Sequence, residues 1–341
     1  MKVSVLGAGR WASCLALCLD RKNYDILMWE IVRDDGTENE LFLYGKNKFV
    51  TLSERVQYTH DLEKAVNYGE VIVISILSQQ VDNFMQSIKK ISGYENKKYV
   101  LAMKGIEAST CRRLSEILID NGVKKDNIAV FVGPGHVQSI AVGQPTNMIV
   151  SAYNKEYAYE IISKFENKGH LDVSYSDDII GTEIGAASKN VIGLAAGILQ
   201  GSGLEQKKGP LMPAALLEIG KFIKAMGGQE STAQSLSFLG DFQATLFDNN
   251  SKNLTYGKTI IEMGAIDNDA ISKLFDVRSV EGIMTAKALL KKKDEFNRKA
   301  SEGVTLKMPI TQAVDDIVSG RVPISEAGLY MSEKITEALH L

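Results

Sequence analysis

One lysine, Lys189, lies in a stretch that is otherwise nearly apolar and rich in Gly and Ala, TEIGAASKNVIGLAAGILQGSG from Thr182 to Gly203. As a helix this stretch is apolar on every side, the mark of a buried helix. An unpaired ammonium is costly to bury, and here no polar face offers it a route to water. Lys189 is therefore read as a residue kept for chemistry, with Asn190 beside it. The other polar residues without an evident core role are Lys104, Asp241, Thr245 and the Ser251-Lys252-Asn253 turn. Several ammonium groups and two amides suit a small anionic substrate that carries a carbonyl or a hydroxyl. A lysine beside a carboxylate can give a proton to a nascent alkoxide.

A second chemistry-bearing pattern opens the chain. Gly7-x-Gly9-x-x-Ala12 follows the apolar run KVSVL and leads into a helical pattern from Trp11 to Leu19. Strand, glycine turn and helix in that order form the dinucleotide fingerprint. Gly7 permits the tight turn, Gly9 lets a pyrophosphate approach the backbone, and Ala12 allows close helix–strand packing. The phosphates are expected at the helix N-terminus, where N–H groups and the dipole favour anions. The next strand, YDILMWE (Tyr24–Glu30), ends in an acidic residue about 20 positions beyond the glycines. Glu30 is placed to accept from the adenosine ribose and to repel a 2′-phosphate, and Ile31 adds no charge. Arg33 is the opposing signal. NAD is the expected cofactor, ahead of NADP.

These residues need elements to hold them. Apolar runs at Val71–Ile76, Tyr99–Met103, Ile128–Val132 and Asn147–Ala152 alternate with helical patterns at Leu62–Asn67, Val81–Ile91 and Arg112–Asn121. Strand–helix alternation predicts an α/β, doubly wound, mostly parallel sheet of the Rossmann kind. Ligands bind such sheets beyond the carboxyl ends of the strands, where Ser78-Gln79, Lys104-Gly105 and Gly133-Pro134-Gly135 fall. From Ile179 onward nearly every segment reads helical: Leu211–Met226, Ser231–Leu239, Asp269–Phe275, Glu281–Lys292, Ile310–Ser319 and Ser325–Leu339. Asp248–Lys258 reads as a polar loop. The expected division is a dinucleotide-binding domain over 1–178 and an all-helical substrate and catalytic domain over 179–341.

Composition narrows the classes. A length of 341 residues suits two domains. The net charge of −3 argues against nucleic acid, and Lys291–Lys293 reads as a solvated helix face. No apolar window is long enough to span a membrane. The first residues run straight into a strand, so no signal peptide and a cytoplasmic location are expected. Cys14, Cys18 and Cys111 have no metal-like spacing and read as reduced thiols, two of them on a buried helix face. No metal is expected, and a homodimer is.

The chain resembles the bacterial NAD(P)-dependent glycerol-3-phosphate dehydrogenase family over nearly its whole length. The stretches that carry this are GAGRWAS (7–13), SQ (78–79), KGIE (104–107), GPG (133–135), GQPT (143–146) and SDDIIGTEIGAASKNVIGLAAG (176–197). LGD (239–241), SKN…YG (251–257), VEGIMTAKALL (280–290) and MPITQAV (308–314) continue them. The resemblance implies interconversion of dihydroxyacetone phosphate and sn-glycerol 3-phosphate, with Lys189 catalytic and Asp241 and Lys104 beside it. Gly133, Gly135, Asn190, Thr245, Ser251, Lys252 and Asn253, with Lys104, are then expected around the substrate. Arg10, Trp11, Lys104, Val137, Lys252 and Glu281 are expected to join Gly7, Gly9, Ala12 and Glu30 at the cofactor. Departures from the family pattern fall on the substrate side. They are Gly135, His136, Glu205-Gln206, Leu254, and Lys252 where the family has an arginine. Lysine offers phosphate a point charge rather than a planar fork. A paralogue acting on another phosphorylated ketone or polyol, and a non-catalytic NAD sensor, are the alternatives weighed.

Overall fold

The computed structural model describes residues 1–32, 37–247, 251–273, 280–301 and 303–341. They form two compact units, one of residues 1–104 and 114–179, the other of 105–113 and 180–341. The last of their boundaries lies between Ile179 and Ile180; the expected division was between 178 and 179. The nine-residue excursion 105–113 was expected in the first domain and belongs to the helical one. Ile106 and Cys111 account for this, since both are buried in the helical unit's core.

The first unit is built on β1 (Lys2–Leu6), β2 (Asp25–Trp29), β3 (Gln57–Thr59), β4 (Val71–Ile74), β5 (Lys98–Leu101), β6 (Ile128–Val132), β7 (Thr146–Ala152) and β8 (Leu171–Ser176). Their order is β3-β2-β1-β4-β5-β6-β7-β8. Every neighbouring pair is parallel except β6 with β7. The central strands β4 and β6 are apolar at every position because helices cover both faces of such a sheet. Those helices are α1 (Arg10–Arg21), α2 (Glu40–Tyr44), α3 (Leu62–Tyr68), α4 (Val81–Ile88), α5 (Leu114–Asp120), α6 (Val137–Ala141) and α7 (Lys155–Phe165). On α1, Cys14 and Cys18 are buried as free thiols. The edge strands β3 and β8 were not anticipated. β3 has three residues, too few to show a period, and β8 follows a helix with only a weak alternation.

The helical unit contains most of α8 (Ile179–Gly201), then α9 (Lys208–Ala225), α10 (Asp241–Phe247), α11 (Lys252–Met263), α12 (Asn268–Ser272), α13 (Glu281–Lys299), α14 (Pro309–Val318) and α15 (Ala327–Ala338). Two expectations change. Residues 231–239 are a 3₁₀ turn (Glu230–Gln234) and a π turn (Leu236–Gly240) rather than one α-helix. The expected polar loop 248–258 is helical from Lys252, while 248–250 lie outside the described residues, as do Leu274 and Phe275 of the expected 269–275 helix. α11 escaped notice because its apolar stripe is narrow: Leu254, Gly257, Ile260 and Ile261 recur at helical spacing among polar neighbours.

The crossing of α8 and α11 explains Gly197 and Gly201 of α8. A Cβ at Gly197 would stand 2.1 Å from Leu254 O, and one at Gly257 would stand 2.4 Å from Leu194 O. Gly201 is closed in the same way by Lys258 O at 2.7 Å. The two backbones touch, and α11 is thereby seated with its first turn at the level of Lys189 and Asn190.

Candidate active site

In the first unit the glycine turn is shaped for a phosphate. Gly7 has φ +118°, and a Cβ there would meet Ser75 O at 2.3 Å, so no other residue fits. A Cβ at Gly9 would meet nothing within 4 Å. That open space lies at the start of α1, where Gly9 caps without a side chain and no acidic residue stands in the first turn. The first N–H groups of α1 are thus left for an anion, and the turn fits a dinucleotide's pyrophosphate. Arg10 stacks over the Phe49 ring at 4.7 Å, and Trp11 is half-buried. Glu30 follows β2 and accepts from Asn39 Nδ2 at 2.9 Å. Ile31, and Leu77 after β4, are exposed apolar side chains beyond the carboxyl ends of their strands. Arg33 lies outside the described residues.

Further along the sheet, Lys104 Nζ donates to Gly133 O at 2.9 Å, joining two of the expected site residues. Gly135 corrects an expectation. Its N–H points at the Met148 thioether, 3.2 Å away, and is not offered to a substrate. Val137, the first residue of α6, packs its side chain into the core of this unit, so only its backbone N–H at the helix start faces outward toward a ligand. His136 precedes α6 and makes no side-chain cap to it.

In the helical unit the π turn re-aims the chain so that Asp241 opens α10 facing Lys189, a common use of such turns at functional sites. Lys189 Nζ lies 3.1 Å from Thr245 Oγ1 and 3.5 Å from Asp241 Oδ1. Thr245 Oγ1 donates its own proton to Asp241 O at 2.9 Å, so its lone pairs face the ammonium. Asp241 and Thr245 are buried, whereas the Lys189 side chain keeps 15% of its surface. An ammonium has three N–H groups. Two are engaged within this unit, and the third can meet a substrate oxygen.

Asn190, next to Lys189 in the chain, turns its side chain to a different partner. Its Oδ1 accepts from Asn253 Nδ2 at 3.0 Å, and Asn253 Oδ1 accepts from Gly282 N at 3.0 Å. This buried chain ties α8, α11 and the start of α13 together. A Cβ at Gly282 would stand 2.6 Å from Asn190 O, so the approach requires glycine. Glu281, the first residue of α13, is positioned by the same contact. Ser251 Oγ accepts from Leu254 N at 3.4 Å and caps α11. Lys252 and Asn253 therefore occupy its first turn, where backbone N–H groups favour an anion.

The excursion that follows Lys104 is anchored within the same unit. Arg113 Nη1 meets Glu183 Oε2 of α8 at 2.7 Å, with both side chains largely buried. Lys291 Nζ donates to Ser109 O at 2.8 Å, which gives one member of the expected solvated lysine run a structural partner. Sequence reasoning missed Asn39, Phe49, Leu77 and the Arg113–Glu183 pair. Only Asn39 carried a local signal, an N-cap residue just before the apolar run ELFLY.

Comparison with known proteins now adds to this geometry. The description "NAD-dependent glycerol-3-phosphate dehydrogenase N-terminus" matches residues 2–158, and the corresponding C-terminus matches 178–328. The chain belongs to the NAD-dependent glycerol-3-phosphate dehydrogenase family. It is 31% identical over 332 residues to glycerol-3-phosphate dehydrogenase [NAD(P)+] of Fusobacterium nucleatum, covering 96% of this chain and 95% of that one. Identity to the Bacillus licheniformis enzyme of the same name is 33% over 329 residues, covering 93% and 90%. The fold matches that of glycerol-3-phosphate dehydrogenase from Coxiella burnetii with a TM-score of 0.85, 23% identity and coverage of 100% and 99%. Membership makes the chain an NAD(P)-dependent oxidoreductase acting on a CH–OH group. Among the described residues no helix is long and apolar enough to cross a membrane.

Proposed function

We propose that the chain interconverts dihydroxyacetone phosphate and sn-glycerol 3-phosphate, with Lys189 as the proton donor in the direction of reduction. The observation that carries this is Lys189 held by Asp241 and Thr245 with one N–H left for a substrate oxygen. When bound, the nicotinamide supplies or accepts the hydride. The chain's own task is the oxygen. As hydride reaches the carbonyl carbon, the C=O pair moves onto oxygen, and Lys189 Nζ gives it a proton. Asp241 stabilises the ammonium before transfer, and Thr245 fixes its direction. In oxidation Lys189 takes the hydroxyl proton back. Lys104, Asn190, Ser251, Lys252 and Asn253 are proposed around the substrate, with the phosphate on Lys252 and the first turn of α11. Asn253 contributes there by holding α11 in place, since its side-chain amide is engaged by Asn190 and Gly282.

Cofactor residues in this reading are Gly7, Gly9, Arg10, Trp11, Ala12, Glu30 and Glu281, with Lys104 and Lys252 toward the reacting end. NADH is preferred over NADPH because Glu30 would face a 2′-phosphate with like charge. The reading also includes a homodimer in the cytoplasm, which light scattering and cell fractionation check.

Steady-state NADH oxidation with dihydroxyacetone phosphate, in the wild type and in Lys189→Met, tests the assignment. Losing a general acid costs about 10²–10⁴ in rate, so kcat should fall by that factor while the dissociation constant for NADH holds. Retention of half the wild-type kcat, or equal turnover of unphosphorylated dihydroxyacetone, overturns it.

A further inference from the structure

Asn39 touches three parts of the cofactor half at once. Its Oδ1 accepts from Leu41 N at 3.0 Å and caps α2. Its Nδ2 donates to Glu30 Oε2 at 2.9 Å and to Ala8 O at 3.2 Å. The amide cannot be turned over, because Leu41 N can only donate and Ala8 O can only accept. Both hydrogens of Nδ2 therefore have fixed destinations: the carboxylate at the exit of β2 and the carbonyl inside the Gly7-Ala8-Gly9 turn.

The same residues are tied a second time from the exit of β3. His60 Nδ1 donates to Glu30 O at 2.8 Å, His60 Nε2 meets Glu38 Oε1 at 3.0 Å, and the ring lies 5.1 Å from that of Phe42. Glu30 is thus held through its backbone by His60 and through its carboxylate by Asn39. An unheld glutamate has three side-chain torsions and could swing clear of a 2′-phosphate. Bound to an amide that is itself bonded to the glycine turn, it keeps its rotamer relative to the pyrophosphate site.

We propose that Asn39 is a positioning residue for cofactor choice, holding the Glu30 carboxylate against the glycine turn so that NADH is accepted and NADPH rejected. This rests on the reading of Glu30 as the ribose acceptor. Asn39 acts through Glu30 and touches no reacting atom. A hydrogen bond to a charged group is worth roughly one order of magnitude in an equilibrium constant. Removing the amide should therefore cost about tenfold in selectivity.

The test separates the clamp from the helix cap. Ser and Thr cap a helix about as well as Asn, but neither carries an NH₂ group to reach Glu30 and Ala8 together. Asn39→Ser and Asn39→Thr should lower the ratio of kcat/KM for NADH over NADPH by about tenfold, through a rise in KM for NADH and a fall in KM for NADPH. Glu30→Gln should lower the ratio as well. In the Glu30→Gln background, Asn39→Ser should change the ratio no further, because the group it positions is gone. A residue with only a structural role would lower kcat with both cofactors and leave the ratio alone. An unchanged ratio in Glu30→Gln removes the ribose reading and the inference with it. A shift in Glu30→Gln with none in either Asn39 variant, or additive shifts in the double variant, overturns the inference about Asn39 alone.

Discussion

Replacing Gly197 by alanine should destabilise the helical unit, although the same change in an open helix stabilises. Alanine spares a helix the entropy cost of glycine, about 0.5–1 kcal/mol. At this position the new Cβ would lie 2.1 Å from Leu254 O and 2.9 Å from Lys258 N, both backbone atoms of α11. To reach an ordinary contact of 3.4 Å, α8 and α11 would have to part by about 1.3 Å. Backbone cannot rotate away as a side chain can, so the helices themselves must move. Such overpacking costs about 1–3 kcal/mol, more than the propensity gain. For a unit of this size each kcal/mol is worth about 2–4 °C in Tm, so a fall of several degrees is expected. Activity should suffer too, because Lys252 and Asn253 open the displaced helix and the 3.0 Å bond from Asn253 to Asn190 must lengthen. Thermal melting followed by circular dichroism, with steady-state turnover of dihydroxyacetone phosphate, measures both effects. Gly209→Ala is the control, since a Cβ there meets nothing within 4 Å, and it should melt no lower than the wild type. A Gly197→Ala protein that melts as high as the wild type and keeps its KM would refute the claim that this crossing seats the phosphate turn.

Two further outcomes are expected. Glu218, fully buried on α9, accepts from Ile310 N, Thr311 N and Thr311 Oγ1 at the start of α14, yet burial outweighs these bonds and pushes its carboxyl up to about 7. The folded state thus holds this proton more tightly than the unfolded one, so its contribution to stability is full below about 4.5 and is lost as pH rises to about 7. Urea midpoints across that range should fall with pH in the wild type and flatten in Glu218→Gln, and equal slopes would contradict the assignment. Lys252→Ala should raise KM for dihydroxyacetone phosphate far more than it lowers kcat, the pattern of a contact made equally in ground and transition states. A KM that stays put would remove the phosphate from this turn.

Local patterns in the sequence determined the Rossmann half and singled out Lys189. KVSVL, the glycine turn and the α1 pattern form one contiguous unit whose geometry follows from nearest neighbours: an apolar strand, a glycine at positive φ, a helix N-terminus. α8 was legible because a helix apolar on every side can only be buried, which left Lys189 to be explained. The tertiary structure alone decided which groups meet. Asn190 pairs with Asn253 across 63 positions and leaves the orientation of Lys189 to Asp241 and Thr245. Residues 105–113 cross into the helical unit because Ile106, Cys111 and Arg113 find their partners there. Gly135 gives its N–H to a methionine sulfur, and Asn39 reaches back nine residues to Glu30 and thirty-one to Ala8. Hydrophobic periodicity reports which face of an element is buried. The choice of partner within that burial depends on close packing between segments far apart in the chain, and no short window of sequence contains it.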